Sequence, residues 1–193
     1  MHLRRFFTIV LFLAAAAGSA RATEVAERSL RQLAADAPTI VHGTVVGSQS
    51  HWTENHSLIV TDVRVHVEDV LKGDPVSEVV VTQPGGAVGA IRVEADGAAA
   101  FRVGDEAILF LDRSPRGVTH VVGLMQGRFD VVTDAHGRKS VRGLTVESLG
   151  NLRSSMARMG SAPIAAQAGP VPLDRFLGGL RDLVRDVTNQ GGR

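Results

Sequence analysis

The chain has no cysteine and no tyrosine, and its 193 residues include a single tryptophan. Without cysteine it can form no disulfide, thiolate metal site, thiol nucleophile or lipid-modified cysteine. Its stability must come from packing alone, which a chain of this length can supply. Scarce aromatics leave few platforms for stacking bases or sugar rings. Neither sign of charge dominates, with 21 Lys+Arg against 20 Asp+Glu. No basic stripe is present, which argues against a nucleic-acid partner. A bilayer-spanning run is also missing. The uncharged apolar stretch from Phe6 to Ala17 has 12 residues, and a spanning helix needs about 20.

Familiar catalytic signatures are absent as well. There is no G-x-S-x-G elbow, P-loop, dinucleotide fingerprint or H-E-x-x-H helix. The acidic pairs Glu68-Asp69 and Asp105-Glu106 lie within strand-like segments, where neighbouring side chains point to opposite faces and make poor acid/base pairs.

What is present begins with a leader pattern. Arg4 and Arg5 precede the apolar stretch, and Ala20-Arg21-Ala22 fits a small-residue cleavage site. Residues 1–22 are expected to be a signal peptide cleaved before Thr23. The mature chain would carry 18 Lys+Arg and 20 Asp+Glu, a formal charge of −2. An exported protein, periplasmic or secreted, with no stable membrane insertion after cleavage, is the expectation.

The remainder divides by periodicity. Residues 23–144 are expected to form a short N-terminal helix, from about Glu24 to Ala35, followed by a β domain. Ile59, Thr61, Val63, Val65 and Val67 alternate with Asp62, Arg64, His66 and Glu68, the pattern of a half-buried strand. Ala107 to Leu111 is continuously apolar and reads as a strand covered on both faces. Asp134 to Gly137 reads as a hairpin turn. Short strands separated by Gly and Pro turns predict a mainly β fold, a small OB-like β-barrel. Residues 145–171, rich in Ala, Pro and Gly near their end, read as a linker. Over 172–189, Leu173, Phe176, Leu177, Leu180, Leu183, Val184 and Val187 form one apolar helix face. Such a helix needs a surface to dock on: its own β domain, another copy, or a partner.

The blocks IVHGTVVGSQSHW, IVTDVRVHVEDVLKG, VTQPGGAVG, FRVGDEAILFL and VVGLMQGRFDVV resemble a group of uncharacterised exported bacterial proteins. More distantly, the layout resembles the netrin-like, metalloproteinase-inhibitor type of OB barrel. The shared features are an alternating second strand closing on Leu71-Lys72-Gly73 and a later strand with Gly104, Leu109 and Leu111. That resemblance implies a barrel. The inhibitors' metal-chelating N-terminal cysteine and their disulfides have no counterpart here.

Several residues are candidates for function. His51, Glu54 and His56 cluster in sequence, but at a hairpin tip without the helical spacing of a metal site; no metal or other cofactor is expected. His66 belongs to a solvated charge row, and His42 and His120 have no evident partner. Trp52 is either a contact residue or a cover for one end of the barrel. In VTQPGGAVG, Gln83 ends a strand and Pro84 stops pairing for want of an N–H. Gly85 and Gly86 allow the reversal. Gln83, Pro84, Gly85 and Gly86 with Trp52 are the candidate partner-binding residues. The expected function is a non-enzymatic protein-binding module, associated with a co-exported protease or envelope component. Alternatives are a hydrolase with a site assembled from loops, or an assembly protein joined through the C-terminal helix.

Overall fold

The computed structural model of the chain describes residues 27–161 and 170–191. The expected leader lies outside them. The described chain is mainly β with three α-helices. The first helix, α1 (Leu30–Asp36), starts where Ser29 and Gln32 form a reciprocal capping box. The Ser29 hydroxyl accepts from the Gln32 N–H, and the Gln32 side chain accepts from the Ser29 N–H. That cap sets the helix start at Leu30, later than the expected Glu24.

Two long strands follow, β1 (Thr39–Trp52) and β2 (Ile59–Lys72), paired antiparallel with three irregularities in register. Such irregularities bend a strand and increase its twist. β3 is Glu78–Pro84, β4 is Gly86–Val88 and β5 is Ile91–Val93. β6 (Glu106–Arg113) and β7 (Thr119–Val121) precede β8 (Arg128–Thr133) and β9 (Lys139–Val141). β8 and β9 flank the expected hairpin turn, closed by hydrogen bonds between Asp134 and both Gly137 and Arg138. The two-residue β10 (Val171–Pro172) pairs with β9.

The large sheet runs β10-β9-β8-β6-β1-β2-β3, with β7 also paired to β6, while β4 and β5 form a separate hairpin. Its ladder is an open path. β7 lies beside β3, but no strand pairing joins them. β7 is only three residues long, and Pro84 gives the end of β3 no donor.

The sheet has two apolar faces. On one, Ile40, Leu71, Ile108, Phe110 and Phe129 pack under the helices, which contribute Leu30, Leu33, Leu152, Phe176, Leu180 and Leu183. On the other, Val41, Val45, Val63, Val65, Val67, Val81, Ala107, Leu109 and Leu111 form a second cluster. β6 supplies both clusters and is fully buried from Ala107 to Leu111, as its continuous apolar run predicts. On β2 the alternation also holds, with Val63, Val65 and Val67 buried and Arg64, His66 and Glu68 exposed.

The expected linker needs correction. Within it, Val146–Arg158 forms a helix, α2, capped by Thr145, whose side chain accepts from the Ser148 N–H. Leu149, Leu152 and Met156 stand at i, i+3 and i+7, and Leu152 is fully buried. The Pro/Gly/Ala bias that suggested a linker is concentrated further on, and residues 162–169 lie outside the described part.

The last helix, α3 (Leu173–Gly191), docks on its own chain. Phe176, Leu180, Leu183 and Val184 are buried in the helix-covered core, with Leu173, Leu177 and Val187 packed against it. Asp186 of α3 ties the three helices together. Its buried carboxylate accepts from Arg31 of α1 and from Ser155 and Arg158 of α2. The Arg158 hydrogen bonds, reinforced by Arg31 and Ser155 against the opposing effect of burial, hold the Asp186 carboxyl far below the usual range. No helix among the described residues is long and apolar enough to cross a membrane.

Candidate functional site

The second apolar face changes character toward the end of β3. Val81 and Gln83 project to the same side, 0% and 6% exposed. Gln83 stands opposite Thr61 in the β2–β3 register, and Thr61 stands opposite Ser50 of β1. Three polar residues thus continue a face that is otherwise Val, Leu and Ala. Two of them are satisfied locally. The Thr61 and Ser50 hydroxyls lie 2.9 Å apart, and Thr61 donates to the Gly85 carbonyl at 2.7 Å.

The Pro84-Gly85-Gly86 corner explains its own composition. Gly85 and Gly86 have φ of 90° and 132°, which strongly favour glycine. A Cβ on Gly86 would sit 2.3 Å from both the Ser50 and Thr61 hydroxyls. The corner therefore lies directly against the polar end of the face. After the β4–β5 hairpin the chain returns across that face, and Ala99 is buried in the second apolar cluster.

Arg128 pins this returning segment. It donates to the Ala100 carbonyl, pairs with Asp105 at 2.8 Å and with Asp130 at 2.7 Å, and its guanidinium lies 4.4 Å from the Phe101 ring centre. Burial pushes the Asp105 carboxyl up, but hydrogen bonds from Arg128 and the Arg102 N–H outweigh it and leave the pKa lowered.

Between the strands and the returning segment lies a cleft of about 390 Å³. Ser48, Thr61, Val63 and Gln83 line it from the strands, with Pro84, Gly85 and Gly86 at the corner. Ala95, Ala98, Ala99, Ala100 and Phe101 line the opposite side, and Arg92 and Glu94 also border it. Gln83 is the exceptional group. Its side chain makes no hydrogen bond with any described residue, although the residue is 6% exposed. No side-chain polar atom among the described residues is both sealed from solvent and unpartnered. The Gln83 amide therefore reaches the cleft.

Four of the five residues expected to bind a partner line this cleft: Gln83, Pro84, Gly85 and Gly86. Trp52 does not. It is half-buried at the end of β1, opposite Ile59. The segment 94–101 was not recognisable as part of the site from the sequence, because its alanines carry no chemical signal of their own.

The histidines are distributed differently from their order in the sequence. His51, Glu54 and His56 do not converge. His51 lies 2.9 Å from the Trp52 carbonyl and 3.0 Å from Asp62, contacts that raise its pKa. His56 turns back to the Glu54 carbonyl.

His42 has partners that the sequence did not reveal. It is buried, with Nε2 2.8 Å from Glu106 and Nδ1 3.8 Å from Glu68. The Thr44 hydroxyl donates to Glu68 at 2.7 Å, and the Lys139 ammonium lies 2.9 and 2.8 Å from the two Glu106 oxygens. Burial pushes the Glu106 carboxyl up, but Lys139 and His42 together lower it below the ordinary value. Donor atoms of His42, Glu68 and Glu106 all lie within 4.8 Å of one another, a set able to hold a cation. A cation there would have to displace Lys139 from Glu106. The carboxylates already have protein partners, so the cluster is a connected polar network across β1, β2, β6 and β9.

No protein-family model matches this chain, and no curated protein is significantly similar to it in sequence.

Proposed function

We propose that the protein is an exported, non-enzymatic protein-binding module that uses the cleft at the Pro84-Gly85-Gly86 corner. The observation carrying this reading is Gln83, a nearly buried amide with no described partner that opens onto a cleft. Its polar atoms are not sealed from solvent, so the amide is free to hydrogen-bond a ligand that enters the cleft.

The other polar groups around the cleft suit binding better than catalysis. Thr61 is held by Ser50 and Gly85. No histidine lines the cleft, and its acid, Glu94, is exposed. We read the curved sheet as an OB-like barrel left open between β3 and β7, a reading supported by their proximity without pairing. The partner would be a co-exported protease or an envelope component, in the periplasm or outside the cell.

The test is affinity capture from the exported fraction of the source cells, using the mature chain as bait. Wild type is compared with Gln83→Met and with a distant surface control, Arg138→Gln. The reading expects one protein retained by wild type and by the control but lost by Gln83→Met. Equal retention by all three baits would refute it.

A further inference from the structure

The chemistry of the cleft narrows what it can accept, an inference that rests on the binding reading above. A phosphate or other strongly anionic ligand needs converging cations. This cleft has Arg92, with Glu94 as an opposite charge on the same border. A sugar ring favours an open aromatic platform, but Phe101 is already covered by the Arg128 guanidinium and Trp52 lies outside the cleft. The remaining wall offers methyl groups from Ala95, Ala98 and Ala99. The polar group without a partner is an amide, which presents one carbonyl acceptor and an NH₂ donor side by side.

One residue of an extended chain presents the complementary pair, since its own N–H and C=O point to the same side. Strand addition along β3 cannot continue through Pro84, which has no N–H, so an extended chain entering here must be held through a side chain. We infer that the cleft accepts an extended peptide segment of the protein partner. The Gln83 amide donates to one backbone carbonyl and accepts from one backbone N–H of that segment. An apolar side chain of that segment faces the methyl groups of Ala95, Ala98 and Ala99.

The experiment is selection of a phage-displayed random heptapeptide library on the immobilised mature chain, followed by affinity measurement with the selected synthetic peptides. The expected result is enrichment of peptides with an apolar residue at a fixed position. Their affinity should fall at least tenfold for Gln83→Met and stay unchanged for Arg138→Gln. Replacing that apolar residue with Asp should weaken binding comparably. Urea unfolding of Gln83→Met establishes that any loss is not misfolding. Failure to enrich peptides, or equal binding to Gln83→Met, would overturn the inference. If the intact partner nevertheless distinguishes wild type from Gln83→Met, the cleft reads a folded surface and the binding reading stands. If neither peptides nor partner distinguish them, both fail.

Discussion

The two faces of the sheet treat buried polar groups in opposite ways. On the helix-covered side, Asp186 accepts from Arg31, Ser155 and Arg158, and His42 sits between Glu68 and Glu106. Those groups join elements distant in sequence. On the other side, Ser50 and Thr61 satisfy each other, and Gln83 is left with an amide facing a cleft. Burial of a polar group is costly on either face unless a partner compensates it. The first face has its partners within the chain and reads as a stability device. The second leaves the Gln83 amide open to the cleft, available to a ligand.

This contrast can be tested by substitutions on each face. The largest effect is expected at Leu180, which is fully buried under the helices. Leu180→Ala should lower unfolding free energy by about 3 kcal/mol in urea denaturation, with peptide affinity unchanged in the remaining folded protein. Next comes Asp186→Asn, with an expected loss of about 2 kcal/mol at neutral pH from weakened charge-assisted hydrogen bonds. Its pH dependence is specific. The folded pKa of Asp186 is depressed, so its contribution is fully present above the unfolded value of about 4 and is lost as pH falls toward the folded value. The stability gap between wild type and Asp186→Asn should therefore shrink below about pH 4. A gap independent of pH would remove the carboxylate from the account of this face.

A smaller effect is expected at Arg128, which belongs to the cleft's support. Arg128→Met removes the ties to Ala100, Asp105 and Asp130. It should cost about 1.5 kcal/mol, within the range for hydrogen bonds to charged groups, and speed hydrogen exchange at residues 98–105. Peptide affinity should fall because the alanine wall loses its anchor. Unchanged exchange across that segment would show that Arg128 does not hold the wall.

The elements most legible in the sequence are those whose signal is local. The period-two run of β2 and the i, i+3, i+4 face of α3 each state which side is buried. The corner at Pro84-Gly85-Gly86 is legible because backbone geometry there strongly favours glycine. Helix α2 was hidden because the compositional bias of its flank masked the spacing of Leu149, Leu152 and Met156. The His42 network was hidden because it depends on register. Glu106 pairs opposite Thr44, so its partner on β1 is two residues from the position directly across. The cleft was half legible: its corner is a sequence motif, but its far wall is a stretch of alanines placed by Arg128, which is 28 residues from Ala100.

Gln83→Met is the smallest perturbation and the most direct test. The substitution keeps the side chain's approximate length and removes the unpartnered amide. The amide makes no hydrogen bond with a described residue and reaches solvent in the cleft, so its removal breaks no contact that holds the fold. Urea unfolding should therefore show Gln83→Met as stable as wild type or more stable by up to about 1 kcal/mol, while binding of the selected peptides is lost. A clear fall in stability, with binding intact, would mean that Gln83 holds the fold together and that the cleft is not the binding site.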